Sequence, residues 1–360
     1  MTSRISIGRR GASIGALVAI ALTVAACAGG NTPVQPSFRH APHYASGIPR
    51  HGLPDSSPCL TSVCIYVSNS GDSGSVTAYA LAANGDVAPL QTISGSNTGL
   101  NDPQGIAVAS SHKMFVPNHL VDSVTVYAKG AHGNVAPVKT ISGSNTGLDR
   151  PNGVALDPSL NIYIANNSAT QGPGSVTVYA AGVNGNVAPI RTISGSNTRL
   201  NIPSVVALDR NGKIYVANSG SPSSVTVYAA GANGNVAPIK TISGSNTGLS
   251  TPFGIAFDAG LNIYVTNAGA FSVTVYAKGA HGNVAPIRTI SGSNTGINLP
   301  EEIALDASGK IYVANCGCGS TSAPSSVTVY AAGANGNVAP IQTISGTDTG
   351  LDQPVGITVH

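Results

Sequence analysis

From about residue 63 onward, short apolar runs alternate with stretches of Gly, Asn, Ser and Thr, and the runs recur in a fixed order. Pro-x-Gly-Ile-Ala occupies 103–107, 151–155, 203–207, 252–256, 300–304 and 354–358. Ile-Tyr-Val-Ala-Asn occupies 65–69, 114–118, 162–166, 214–218, 263–267 and 311–315. Ser-Val-Thr-Val-Tyr ends at Tyr79, Tyr127, Tyr179, Tyr228, Tyr276 and Tyr330, and runs on to Ala-Pro-Ile-x-Thr-Ile-Ser. Each unit therefore reads as four strands, a to d. Pro89, Pro137, Pro189, Pro238, Pro286 and Pro340 open strand d. Proline is tolerated on an edge strand and not at a sheet centre, so d is outermost and a innermost. Strands b and c are apolar or small on both faces, as a sheet sandwiched between two others requires. The Gly-Asn-Gly stretch between c and d predicts a tight hairpin turn.

The ends of the array predict closure. The first unit begins at strand b, Cys64-Ile65-Tyr66, and the chain stops on a lone strand a, Pro354 to His360. The last strand is expected to complete the first sheet and remove an exposed edge. A period near 50 residues with four strands predicts an all-β, six-bladed β-propeller of four-stranded blades. The domain spans 59–360, with blades at about 59–94 plus 354–360, 103–142, 151–194, 203–243, 252–291 and 300–345. The combined motif, Pro-x-Gly-Ile-Ala-x-Asp-x-x-x-Asn-Ile-Tyr-Val-Ala-Asn then Ser-Val-Thr-Val-Tyr, resembles the NHL repeat. The resemblance covers residues from about 63 to 360. It implies the fold and leaves function open, because such propellers bind protein, RNA or sugar, or hydrolyse lactones.

The N-terminus reads as an address. Arg4, Arg9 and Arg10 precede an apolar run at 11–26 that is short for a membrane span, which together make a signal peptide over residues 1–26. Val24-Ala25-Ala26-Cys27 resembles the lipobox of bacterial lipoproteins. The resemblance implies that Cys27 is acylated and anchors an exported domain without crossing the membrane. Ala28 follows, rather than Asp, which leans towards the outer membrane or cell surface. Residues 27–58 comprise this cysteine and a Pro-, Ser- and Gly-rich flexible tether, in which His40 and His43 read as solvated.

Composition narrows the partners. Hydrophobic residues make up 42% of the chain and charged residues 9%, with a formal charge of +3. Without the three N-terminal arginines the formal charge is zero, which gives no reason to expect nucleic acid. The cysteines fit an oxidising compartment, with Cys59 near Cys64 and Cys316 near Cys318 as candidate disulfides.

Variation points to one end of the ring. Successive strand-c tyrosines are 48, 52, 49, 48 and 54 residues apart, and the b–c stretches of those units are 4, 8, 5, 4 and 10 residues long. All the length variation therefore lies in the b–c loops, which open on the same face as the d–a loops. A constant scaffold with one varied face suits ligand binding. The position after the strand-a proline also varies, reading Gln104, Asn152, Ser204, Phe253, Glu301 and Val355. The next position is Gly except at Val205 and Glu302. Gln104, Asn152, Ser204, Phe253, Glu301 and Glu302 are expected to ring the channel mouth as a ligand-binding rim, or else to be ordinary drift at an exposed edge. The repeated Asp157, Asp209, Asp258 and Asp306 read as turn formers, and the asparagines ending each strand b as local Asx turns.

Taken together, the chain reads as a surface-tethered binding or scaffold propeller for a protein or glycan ligand on the b–c/d–a face. It is membrane-attached through Cys27, with no catalytic residue, metal site or cofactor. The alternative is a metal-dependent hydrolase of the gluconolactonase type with Ca2+ at the channel mouth, for which more anionic oxygen ligands are wanted than the sequence offers.

Overall fold

The computed structural model describes residues 58–72, 74–168, 172–318 and 324–360. The expected signal peptide, Cys27 and nearly all of the expected tether lie outside these residues. Six four-stranded antiparallel sheets form a closed ring, a six-bladed β-propeller. Blade 1 takes strand a from the C-terminus, in the order Pro354–Val359, Cys64–Asn69, Ser75–Ala80, Gln91–Ser94. Ile65 pairs with Val359 and Val67 with Ile357. Cys64 N–H donates to His360 O at 2.8 Å, and His360 N–H donates back to Cys64 O at 3.0 Å. Blades 2 to 6 follow in chain order, with strands a at Ala107–Val108, Pro151–Leu156, Pro203–Leu208, Pro252–Phe257 and Pro300–Leu305.

The core lies between blades, not within them. One buried cluster fills each interface. At the seam, Ile65 and Val67 of blade 1 meet Tyr312, Val327 and Ile344 of blade 6. At the opposite side, Tyr163 and Val176 of blade 3 meet Ile214 and Val216 of blade 4. This arrangement is why strands b and c carry no polar alternation. Each tyrosine ending strand c is buried, and its hydroxyl donates to a threonine carbonyl in the adjoining d–a loop at 2.6–2.7 Å. A buried phenol needs such a partner.

The asparagines ending strand b do more than the local turns expected of them. All six are buried. Each Oδ1 accepts the backbone N–H of the residue two before the strand-a proline, at 3.0–3.3 Å. Each Nδ2 donates to the strand-c threonine at 2.9–3.1 Å. One side chain thus ties three segments of a blade together. It also helps to hold the residue before each proline in the left-handed region, at φ 44–51° for Asp102, Arg150, Ile202, Thr251, Leu299 and Gln353. That conformation is unfavourable for residues with a Cβ and persists where surrounding bonds over-determine it. The aspartates after strand a form turns as expected. Asp209 Oδ1, for example, accepts Asn211 and Lys213 N–H at 2.9 Å.

The c–d connection is not the tight hairpin that Gly-Asn-Gly predicts. After one turn the chain runs beside strand d of the preceding blade, making parallel bridges Ile93↔Gly133, Ile141↔Gly185, Ile193↔Gly234, Ile242↔Gly282, Ile290↔Gly336 and Ile344↔Gly85. These bridges cover the outer edge of each blade, which would otherwise present unpaired N–H and C=O groups. A side chain completes each bridge. Asn184, Asn233, Asn335 and Asn84 accept the threonine N–H of the preceding strand d through Oδ1 at 2.9–3.0 Å. His132 and His281 do so through Nδ1 at 3.2 Å. The two histidines therefore stand in for asparagine as acceptors.

Two outcomes are expected in denaturant titrations. Asn218→Ala destabilises the domain by about 1–3 kcal/mol, because it leaves buried groups of two neighbouring segments unpaired. His281→Asn changes stability by less than about 0.5 kcal/mol, whereas His281→Ala costs about 1 kcal/mol, the worth of the lost acceptor.

Candidate functional site

At the start of each strand a, the segment between the proline and the first paired apolar residue bulges inward. The register shifts there in blades 1, 3, 4, 5 and 6, with the extra residue on strand a each time. Glycine is needed at this bulge because neighbouring inner strands touch through their backbones. A Cβ on Gly254 would lie 2.8 Å from the carbonyl oxygen of Glu301, and one on Gly105 would lie 3.0 Å from that of Asn152. Gly105 N–H donates to Asn152 O at 2.9 Å, linking blade 2 to blade 3. Blades 1 and 5 use a hydroxyl for the same link. Gly356 N–H donates to Ser68 Oγ at 2.9 Å, and that hydroxyl donates to Gln104 O. Gly254 N–H donates to Thr266 Oγ1 at 2.7 Å, and that hydroxyl donates to Glu301 O.

The ring is therefore drawn tight at the b–c/d–a end, and the expected open rim is absent. Gln104, Asn152, Ser204 and Val355 are buried, and Phe253 and Glu301 are half-buried. Gln104 turns back, with Nε2 donating to Asp102 Oδ1 at 2.7 Å. Ser204 Oγ donates to Pro252 O in the next blade at 2.9 Å. The central cavity, of about 350 Å³, is lined by residues further along strand a, such as Ala107, Ala155, Leu208, Phe257 and Val359. Glu302 is the one expected rim residue that lines it.

Glu302 replaces the glycine of the repeat and reaches across the ring. Its Oε2 accepts Ile357 N–H of blade 1 at 3.0 Å. The carboxyl also takes the Ile106 N–H of blade 2. Burial raises its pKa to about 8, against the pull of these two hydrogen bonds. Glu301 is raised to about 8 by burial and by the neighbouring Glu302 carboxyl. Glu301 Oε2 and Asn152 Nδ2 are buried without a hydrogen-bond partner.

The donors here do not fit calcium. Glu302 is committed to backbone N–H groups. Among the described residues, no three His, Cys, Asp or Glu stand together as a metal site. The expected disulfide candidates sit apart from the channel. Cys59 is bonded to Cys64 with Cα atoms 5.5 Å apart, and the Cα atoms of Cys316 and Cys318 stand 5.1 Å apart.

What the b–c/d–a end offers to solvent is a set of loops outside the channel. Leu120 and Val121 in the blade 2 b–c loop, Phe271 in that of blade 5, and Ile202 before Pro203 are 54%, 46%, 47% and 41% exposed. The loops are braced against the next blade. Arg150 N–H donates to Asp122 Oδ1 at 2.7 Å, and Thr251 N–H to Ser223 Oγ at 3.1 Å. Beneath Leu120, His119 is buried, and its Nδ1 has no partner. Burial and Arg150 lower its pKa to about 4, so it is neutral. Burial raises Asp102 to about 6. Sequence reasoning missed Leu120, Val121, Phe271, Ile202, His119 and Asp102. Their signal was departure from the repeat outside the motif blocks.

No protein-family model matches the chain, and no match is found among curated proteins. Solved structures do match. A protein of unknown function from Bacteroides caccae is 12% identical with a TM-score of 0.60, covering 83% of this chain and 98% of its own. A chain of a nidogen–laminin complex is 13% identical with a TM-score of 0.58 over the same shares. A candidate 6-phosphogluconolactonase from Bacteroides fragilis is 14% identical with a TM-score of 0.55, covering 86% of this chain and 99% of its own. These likenesses show the propeller fold. At such identities they carry no activity across.

A buried carboxylic acid gives a testable pH dependence. The folded chain keeps the Glu302 proton to about pH 8, whereas an unfolded glutamate loses it near pH 4.5. The native state therefore binds more protons in that window, and stability falls as pH rises through it. Glu302→Gln keeps a hydrogen-bond acceptor and removes the charge. Thermal unfolding from pH 5 to 9 is expected to show a shallower decline in this variant than in the parent, with the difference largest at pH 9.

Proposed function

We propose that the chain is a tethered binding propeller whose b–c/d–a end captures a protein ligand. The observation that carries this reading is where exposed apolar side chains stand. Leu120, Val121, Ile202 and Phe271 occupy positions that differ from blade to blade, on loops locked by the asparagine clamp. Phe271 and Ile202 are held at φ 46° and 51° while projecting into solvent. A strained backbone that presents bulky apolar groups on a braced loop is the economy of a recognition surface, since little conformational entropy remains to be lost on binding. Exposed apolar groups with nearby aspartates favour a protein over a glycan.

The finer parts of this reading come from sequence. The repeats are taken as NHL-like, residues 1–26 as a signal peptide, and Cys27 as an acylated anchor at the outer membrane or cell surface. The likeness to a chain from a nidogen–laminin complex supports a propeller that works by protein contact. The hydrolase alternative has the likeness to a candidate lactonase on its side. Against it stand the closed ring end and the committed Glu302 carboxyl.

Photo-cross-linking in intact cells tests the proposal. A cross-linker at Leu120 or Phe271 is expected to yield one discrete protein adduct, and a cross-linker at Ile239 on the outer strand none. Leu120→Ser with Ile202→Ser should abolish the Phe271 adduct without lowering the melting temperature. Adducts at all three positions alike, or at none, would refute a dedicated face.

A further inference from the structure

Every lysine of the propeller lies at one end of the ring. Antiparallel blades place all a–b and c–d turns at the end opposite the ligand face. The a–b turns carry Lys113, Arg210, Lys213 and Lys310, and the c–d turns carry Lys129 and Lys278. Strand d opens there on Lys139, Arg191, Lys240 and Arg288 in blades 2 to 5. Side-chain contacts hold these last four at that end. Lys139 Nζ donates to the c–d turn at Gly182 O and Lys240 Nζ to that at Gly279 O (2.7 Å), and Arg191 and Arg288 donate to Tyr163 and Tyr264, the second residues of their strands b, at 2.9 and 2.7 Å. None of these cations is buried. The aspartates of this end, Asp157, Asp209, Asp258 and Asp306, accept backbone N–H groups of their own turns. Among the described residues the opposite end carries only Arg150 and Arg199, against Asp72, Asp102, Asp122, Asp149, Asp348 and Asp352, and Asp86 of the blade 1 c–d connection reaches the same end to accept Thr347 and Asp348 N–H; the two buried glutamates there keep their protons at neutral pH and add no charge. A domain with almost no net charge is thus strongly polarised along its axis.

The basic end also carries apolar groups. The residue before each strand d is Leu90, Val138, Ile190, Ile239, Ile287 or Ile341, and each is 40–52% exposed. These positions are the same in every blade, so they form a six-fold ring and not a unique patch. Ile341 shares a groove with Lys310, Leu81 and Ala82. The N-terminal segment meets the propeller here too. Cys59 is bonded to Cys64, where strand b starts; Tyr66 Oη donates to Cys59 O at 3.5 Å; and Leu60 stands over the c–d turn at Gly130. The described chain therefore enters the propeller at the basic end.

We infer that the a–b/c–d end docks on an anionic lipid surface, which turns the b–c/d–a face outward. A ring of aliphatics interspersed with lysines is the chemistry of interfacial binding. The aliphatics enter the headgroup boundary, and each cation gains from the negative surface potential. Six-fold repetition suits a laterally uniform surface better than one protein partner. The described chain also enters the propeller at this end, at Pro58. The inference needs only the charge layout and that entry point, and does not depend on what the ligand face binds.

The test uses the full chain carrying Cys27→Ser, which removes acylation, with a fluorophore on Ile239→Cys or Phe271→Cys and vesicles containing brominated lipid. In phosphatidylcholine vesicles containing phosphatidylglycerol, the fluorophore at 239 is expected to be quenched and that at 271 not. Salt should weaken binding. Replacing Lys113, Lys129, Lys213, Lys278 and Lys310 by Gln should lower partitioning by about tenfold or more. Arg150→Gln with Arg199→Gln should leave it unchanged, and both sets should melt like the parent. The N-terminal segment is identical throughout and drops out of the comparison. Equal quenching at 239 and 271, binding that ignores phosphatidylglycerol or the lysines, or preferential binding to duplex DNA over these vesicles would overturn the inference. Failure here would leave the cross-linking result at Phe271 untouched.

Discussion

The structure depends on the backbone pairing of Pro354–Val359 with Cys64–Asn69. A blade of this propeller has no core of its own, and its apolar side chains are buried only against the next blade. A row of such blades leaves two apolar faces and two strand edges in water unless it closes. One strand taken from the far end of the chain meets both needs, because it completes blade 1 and seats that blade against blade 6. Once the circle is closed, the inner strands are pressed together closely enough that four of the six blades place glycine between them, Val205 and Glu302 standing in the other two.

That tightness decides which parts of the molecule are available for recognition. At the b–c/d–a end the strand-a bulges touch through backbone atoms, and Glu302 bridges from blade 6 to blades 1 and 2. The side chains at the end of the channel that varies most in sequence are thus mostly buried. Solvent meets the loops outside it. The asparagine at the end of each strand b fixes those loops by holding strand c, the d–a loop and, through the turn that follows, the residue before the proline. Length can change in the b–c loop without disturbing this clamp, because the loop begins after the asparagine and ends before the threonine that it binds.

The two ends of the ring have different chemistry, and both differences come from turns. The a–b and c–d turns and the starts of strand d hold most of the cations, and the b–c and d–a loops hold most of the aspartates. A domain polarised in this way has a preferred orientation at a charged surface before any specific contact forms. The proposed ligand face and the proposed lipid face are consequences of the same antiparallel order, which sends alternate connections to opposite ends.

Fold and blade count were legible in the sequence because each strand repeats as a local apolar pattern, and because the lone strand a at the C-terminus matched the missing one at Cys64. The aspartate turns were legible for the same reason, since their bonds span only two to four residues. The roles of Asn218, His281 and Glu302 were not. Each of these side chains bonds a segment 17 to 55 residues away, and nothing in its own neighbourhood distinguishes a clamp from an Asx turn or a bridging acid from a rim acid. Charge was the plainest case. Along the chain the lysines look dispersed, from none to three per repeat, and only winding the repeats into a circle stacks equivalent turns at one end. The sequence by itself determined which strands exist and how many blades they make, because short-range pattern governs strand formation. The tertiary structure alone decided which variable residues face water and where the charges collect, because burial and summed potential depend on distances through space.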